Sequence, residues 1–194
     1  MSNKERMNEI FKKKLEIKLL EHFSISDPIA KDFAKDHVDI DLYVDDSDDG
    51  TSYVTIGMSR KALFSYFMWT EFLIPTSSRL NHELEQIMIE EISNIISWLH
   101  DCEINLEQGS IYTPSKKAKT TFGFDYIMLD LMDMGITHYL FSEPLYMLIP
   151  VPLYKNEYEY LKKVGYEDFY EEYCNQVSDE MMLNFDLGRS PMDV

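Results

Sequence analysis

The run from Asp45 to Gly50 concentrates carboxylates in a way that could bind a metal ion. Its spacing, Asp45-x-Ser47-x-Asp49-Gly50, resembles the opening of a calcium-binding loop. Such a loop also needs a bidentate carboxylate at its twelfth position, because calcium takes about six to eight oxygen ligands. That position is Ile56, and the flanking residues alternate as strands do. The pattern therefore favours a hairpin turn, and we expect no metal and no cofactor.

A second possible chemistry is nucleophilic catalysis by Ser59, which follows Gly57-Met58. A nucleophile elbow, G-x-S-x-G, would require glycine where this chain has Lys61. Adjacent carboxylates such as Glu90-Glu91 and Glu171-Glu172 arise readily in an acidic chain and are typical of solvated helix faces. The five histidines form neither HxxxH nor HExxH. A binding protein is thus favoured over an enzyme, and a hydrolase using Ser59 or a carboxylate pair stays as a third hypothesis.

The formal net charge of −17 bears on the choice of partner. Nucleic acid and anionic membrane surfaces both attract basic proteins, so neither is expected to bind here. A basic protein is the complementary partner, because opposite electric fields accelerate association. An acidic chain can also be acidic for solubility alone, and the charge does not decide between these two interpretations.

The remaining bulk properties predict one cytoplasmic domain spanning residues 1–194. Hydrophobic residues make up 45% of the 194 residues, which is enough for a core. Cys102 and Cys174 form no CxxC motif and indicate a reducing compartment. The charged stretch from Met1 to Lys14 does not resemble a signal peptide, and the apolar run from Leu145 to Tyr154 is too short to span a membrane.

The elements that must position any site follow from hydrophobic periodicity. Helical repeats predict helices over residues 3–23, 81–99, 156–164 and 167–177. Apolar alternation or continuous apolar runs predict strands over residues 38–44, 52–57, 67–74, 105–113, 122–131 and 144–154. The lysine-bearing stretch 114–121 is predicted to be an exposed loop. The prolines of the last strand predict that it lies at an edge of the sheet or ends there. The tail 178–194 is predicted to be partly flexible. The order of these elements indicates an α+β fold with a mostly antiparallel sheet flanked by helices.

Five segments, in order, carry a resemblance to a known family. They are Val38 to Tyr43, Ser52 to Ser59 with a T-x-G-M-S pattern, Thr70 to Pro75, Leu148-Ile149-Pro150 followed by Leu153, Tyr154 and Glu157, and Asp186-Leu187-x-Arg189. Over roughly residues 36 to 190 the chain resembles the Suppressor of fused domain family, in its bacterial branch. It departs from the family's usual pattern at Gln108-Gly109-Ser110.

The resemblance implies a non-enzymatic inhibitor. Bacterial members are similar to immunity proteins, which neutralise a cognate polymorphic toxin, and many such toxins are basic. The alternative is a regulatory adaptor that sequesters a transcription or signalling factor. The partner contact is expected at the acidic hairpin tip, formed by Asp45, Asp46, Asp48 and Asp49. The family-motif positions are expected to be structural; they are Gly57, Met58, Ser59, Glu71, Pro150, Glu157, Asp186 and Arg189.

Overall fold

A computed structural model describes the chain at residues 19, 23, 27–31, 33–34, 40–47, 50–58, 70–101, 108–137, 144–177, 185 and 189–194. The strands in these ranges are β1 (Asp41–Ser47), β2 (Gly50–Ile56), β3 (Thr70–Thr76), β4 (Ser110–Tyr112), β5 (Tyr126–Thr137) and β6 (Pro144–Leu153). The helices are α1 (His82–Asp101), α2 (Lys116–Phe122), α3 (Lys155–Val164) and α4 (Tyr166–Gln176). Within these ranges, no helix has the length and apolar character that a membrane span requires.

The strands form one sheet in the order β1-β2-β3-β6-β5-β4. All neighbouring strands are antiparallel except β3 and β6, which are parallel. The parallel pair therefore joins two antiparallel halves, one of them beginning with the β1–β2 hairpin. The predicted α+β fold with a mostly antiparallel sheet flanked by helices is confirmed.

Helices cover both faces of the sheet, and alternation along the strands supplies a core on each face. On β5, Ile127 and Leu129 belong to the cluster that contains the apolar stripe of α1. Met128, between them, belongs to the cluster that contains Phe169 and Tyr173 of α4. The sheet is thus the middle layer, with α1 and α2 on one side and α3 and α4 on the other.

Helix α1 begins as its sequence predicts. The side-chain oxygen of Asn81 accepts hydrogen bonds from the backbone N–H groups of Glu83 at 3.0 Å and Leu84 at 3.1 Å. These bonds satisfy two of the donors that a helix start leaves free. The C-terminal pair of helices is also broken where expected, at Gly165, which has a positive φ of 91°.

The prediction of a loop over residues 114–121 is wrong, because α2 occupies most of it. Ser115 caps the helix through a 3.1 Å bond from the N–H of Ala118 to its hydroxyl oxygen. Ala118 and Phe122, four positions apart, are both buried against the sheet. The lysines lie on the outer side of this short amphipathic helix. Because they dominate its composition, the segment resembles a polar loop in sequence.

The prolines of the last strand predicted an edge position or a strand end. The edge position is wrong, since β6 lies between β3 and β5, but the strand does end at Leu153, directly after Pro152. Its pairing with β3 nevertheless stops at Leu148. Pro150 and Pro152 pair only with β5. The prolines therefore occupy the part of the strand that has a neighbour on one side, where a missing N–H breaks no ladder bond.

The predicted N-terminal helix lies outside the described residues apart from Leu19 and Phe23, which are both buried. The flexibility expected for the tail 178–194 stays a prediction. The described part of that tail is packed, because Phe185, Arg189 and Met192 are buried.

Candidate functional site

The acidic hairpin tip is only partly described, since Asp48 and Asp49 lie outside the described residues. Asp45 and Asp46 belong to β1 itself, so the turn is shorter than predicted. Asp46 is exposed, but its carboxylate accepts hydrogen bonds from the Thr51 hydroxyl at 2.8 Å and from Arg79 Nη1 at 3.2 Å. Part of the charge at this tip is therefore neutralised within the protein.

Arg79 ties the hairpin to the start of α1. Its Nε donates to Glu85 at 3.4 Å, while Nη1 reaches Asp46. Tyr53 lies beneath, donating from its hydroxyl to Glu85 at 3.1 Å and accepting from the N–H of Leu80. Burial, the largest cause, raises the pKa of Tyr53 well above its ordinary value. The tip is thus anchored on a polar network that fixes the hairpin against the helix.

The motif residues Gly57 and Met58 meet Glu71 in one buried cluster. The Glu71 carboxylate accepts from the Thr55 hydroxyl at 2.8 Å and from the N–H groups of Gly57 at 3.0 Å and Met58 at 3.1 Å. Gly57 has a φ of 120°, which favours glycine. Two segments that carry the resemblance therefore contact each other, with the geometry of a structural hydrogen-bonded cluster. Ser59, the residue considered as a nucleophile, lies outside the described residues.

A second buried cluster joins Glu157 at the start of α3 to Arg189 near the end of the chain. Arg189 donates both terminal nitrogens to the two carboxylate oxygens, with Nη2 to Oε2 at 2.6 Å. The same carboxylate accepts from the N–H groups of Tyr154 at 2.8 Å and Met192 at 2.9 Å. Arg189 Nη2 also donates to the carbonyl of Pro152 at 3.1 Å. The arginine thus binds β6 at Pro152, beyond the residues of β6 that pair with β3.

The rings of Tyr154 and Tyr173 complete the surroundings of the arginine. The guanidinium carbon of Arg189 lies 4.9 Å from the Tyr154 ring centre and 5.2 Å from that of Tyr173. Burial raises the pKa of Tyr173 to about 12, although the charge of Arg189 opposes the rise. Both members of the ion pair are buried, with side-chain exposures of 3% for Arg189 and 0% for Glu157. This cluster fixes the end of the chain to the α3–α4 face.

The third polar cluster borders a groove between β5 and α4, and no sequence pattern predicted it. The groove has a volume of about 480 Å³. It is lined by Gln108, Asp130, Leu131, Met132, Asp133, Tyr166, Glu167, Tyr170 and Glu171. Four of these nine residues are carboxylates, and no lysine, arginine or histidine is among them. We call it the β5–α4 groove.

Asp130 is the buried centre of the groove, with only 5% of its surface exposed. Its Oδ1 accepts three hydrogen bonds, from the Tyr166 hydroxyl at 2.7 Å, from the backbone N–H of Leu131 at 2.9 Å and from Gln108 Nε2 at 3.0 Å. Burial, followed by the bond to Asp130, raises the pKa of Tyr166 well above its ordinary value. Tyr166 therefore stays a neutral donor, and it holds the carboxylate in one orientation.

Gly109 explains how Tyr166 can lie so close to the backbone of β4. The residue has a positive φ of 83°, and a Cβ atom built on it would lie 2.5 Å from Cδ2 of Tyr166. Its N–H donates to the carbonyl of Leu129 at 3.0 Å. Gln108 and Gly109 are thus a residue pair that shapes the groove.

A larger cavity of about 750 Å³ lies at the start of α3. Its lining mixes both charge signs, with Lys155 and Lys163 beside Asp125 and Glu159. Such a lining selects neither a cation nor an anion. It is therefore a weaker candidate than the β5–α4 groove.

Several other sequence predictions can be placed. Glu90 is exposed and contacts Lys117 at 3.1 Å, as expected for a solvated face. Its neighbour Glu91 is buried and accepts from the N–H of Ser115 at 2.8 Å, which the prediction missed. In the part of the chain that the structure describes, no three His, Cys, Asp or Glu residues are grouped as a metal site would require. Asp186 of the closing motif lies outside the described residues.

Comparison with known proteins gives no match, whether against family models, curated proteins or solved structures.

Proposed function

We propose that this protein is a non-catalytic inhibitor that binds a basic protein, and that it acts in the cytoplasm as an immunity protein against a cognate bacterial toxin. The immunity role is what the resemblance to the bacterial Suppressor of fused branch implies. The observation that carries the binding role is a net charge of −17 together with an acidic face on α4. A field of this strength and sign attracts a basic partner and speeds its encounter.

The acidic face of α4 consists of Glu167, Asp168 and Glu171, all exposed. Among the described residues, no lysine or arginine forms an ion pair with any of the three. Asp46 at the hairpin tip, in contrast, is already paired with Arg79. Unpaired surface carboxylates can pair with a partner without first breaking an internal contact. The α4 face is therefore a stronger contact surface than the tip that the sequence suggested.

The first test is co-expression with the C-terminal domain of whatever protein is encoded immediately upstream, scored by cell growth and by co-purification. Rescue together with a stable complex supports the immunity role. Binding that weakens steeply as salt rises supports the electrostatic contribution, since exposed charges are screened by salt. Absence of both rescue and complex rejects the immunity role. Recovery of a transcription or signalling factor from a lysate would then support the regulatory adaptor.

Matched double variants locate the surface. Glu167→Gln with Glu171→Gln removes two charges from α4, and Asp45→Asn with Asp46→Asn removes two from the hairpin. Glu83→Gln with Glu90→Gln removes two exposed charges from α1, on the other face of the sheet, and serves as the control. The three variants have the same net charge, so any difference between them reports the position of the charges. We expect only the α4 variant to lower the association rate. Equal effects from all three would mean that only the overall charge matters.

A further inference from the structure

Among the described residues, no cationic side chain pairs with the buried carboxylate of the β5–α4 groove, Asp130. All three hydrogen bonds to Asp130 fall on Oδ1. No described residue donates to Oδ2, and none of the described ion pairs includes Asp130. Buried charges are generally paired, because an isolated ion loses its hydration without compensation. The free oxygen on a groove lining is therefore a position where a cation would be stabilised.

The groove also offers an aromatic surface next to that oxygen. The rings of Tyr166 and Tyr170 are stacked, with centres 5.6 Å apart and planes 24° from parallel. Their hydroxyls keep their protons, since burial raises the pKa of each. The exposed Glu167 and Glu171 stand at the rim. A cation entering here meets the two tyrosines, carboxylates at the rim and one buried carboxylate.

We propose that the β5–α4 groove binds one arginine side chain of the protein partner, with the guanidinium against the Tyr166–Tyr170 pair and donating to Asp130 Oδ2. The volume of about 480 Å³ is within the range of small-ligand pockets, roughly 300–1,000 Å³. The inference rests on the proposed function only in taking the arginine from a protein partner.

Arginine fits this groove better than lysine does. Its planar guanidinium can stack on a ring while its edge donates to a carboxylate, and it is more weakly hydrated than an ammonium group. Lysine carries its charge as a compact, strongly hydrated point, so it gains less from the ring faces. The stacked tyrosines therefore distinguish the two side chains, whereas the carboxylates alone would not.

The test uses N-acetyl-arginine amide as the probe, titrated into the full-length protein and followed by amide chemical shifts in NMR spectra. We expect saturable shifts, in the millimolar range of probe, at Gly109, Leu131, Tyr166 and Tyr170. N-acetyl-lysine amide should bind several-fold more weakly, and N-acetyl-citrulline amide, which has no charge, should not bind. Lysine binding as tight as arginine binding, or shifts spread over the acidic surface, would overturn the proposal.

Asp130→Asn removes the charge but keeps an oxygen that can accept from Tyr166. It should weaken the probe about tenfold or more, since a charge-assisted bond contributes about 1.5–3 kcal/mol. Glu83→Gln, at an exposed position of α1 that does not line the groove, is the control and should leave binding unchanged. If the Asp130→Asn protein does not fold, Glu171→Gln at the exposed rim should also weaken binding of the arginine probe, by a smaller factor.

The outcome is separable from the test of the proposed function, because the probe assay needs no toxin. Probe binding without rescue in co-expression would support arginine binding in the groove and reject the immunity role. Rescue without probe binding would support the immunity role and reject arginine binding in the groove.

Discussion

The guanidinium of Arg189 and the carboxylate of Glu157 form a buried pair across 32 positions of sequence. The pair fixes the end of the chain to α3 and, through the carbonyl of Pro152, to β6. Because the carboxylate also accepts two backbone N–H groups, four donor groups depend on one side chain. The relationship makes the packing of the α3–α4 face sensitive to a residue far away in sequence.

Removing the arginine is expected to destabilise the fold strongly. Arg189→Met leaves Glu157 buried without a counter-charge, which costs about 3–5 kcal/mol in the free energy of unfolding. Adding Glu157→Gln should restore part of that loss, because the buried charge is then gone. The measurement is chemical denaturation of the two single variants and the double variant. Lys162→Met, which breaks the exposed pair with Glu159 at 2.7 Å, is the control and should leave the free energy of unfolding nearly unchanged.

Two glycines with nearly the same positive φ should respond differently to substitution by alanine. Gly109 and Gly123 have φ values of 83° and 82°. A Cβ on Gly109 would meet the Tyr166 ring, whereas a Cβ on Gly123 has nothing within 4 Å. Gly123→Ala is expected to lower the free energy of unfolding by the backbone strain alone, about 1–2 kcal/mol. Gly109→Ala is expected to lower it clearly more. Thermal denaturation compares them, and equal losses would contradict the close approach of Tyr166 to the backbone.

Alkaline pH should destabilise the fold through Tyr173. Burial raises its pKa to about 12 in the folded protein, against about 10 in an unfolded chain. The neutral phenol is favoured by folding, so its contribution is complete below about pH 10 and is lost as the pH rises toward 12. The difference in phenolate absorbance between the native protein and Tyr173→Phe reports this ionisation. An ionisation near pH 10 in the native protein would show that the ring is not buried as described.

The sequence predicted the elements with long apolar periodicity and missed those whose burial depends on distant residues. Asn81, the stripe of α1 and the break at Gly165 are local signals, and each was interpreted correctly. Helix α2 was missed because its lysines dominate a short segment in which only Ala118 and Phe122 are buried. For β6, the prolines predicted an edge position or a strand end, and the strand end is what the structure has. The strand can still lie inside the sheet because its pairing with β3 stops at Leu148, before Pro150 and Pro152.

The candidate site was predictable only in part, for the same reason. The hairpin was predicted as a contact surface because its acidic residues are adjacent in sequence. Asp46, however, is paired with Arg79, 33 positions away. Asp130 receives Tyr166 from 36 positions away and Gln108 from 22. No spacing rule joins such residues, because helix α4 must first pack on β5.

The Glu71 cluster gives the sharpest test of whether the motif residues are structural. Thr55 donates its hydroxyl to Glu71 at 2.8 Å and accepts from the N–H of Phe72 at 2.8 Å. Thr55→Val keeps the shape but removes both bonds, so it should lower the free energy of unfolding by about 1–3 kcal/mol. Thr120→Val, which removes the exposed bond to the Lys116 carbonyl, should change it by less than about 0.5 kcal/mol. Chemical denaturation measures both, and a loss of partner binding by Thr55→Val without a loss of stability would instead assign this cluster to the interface.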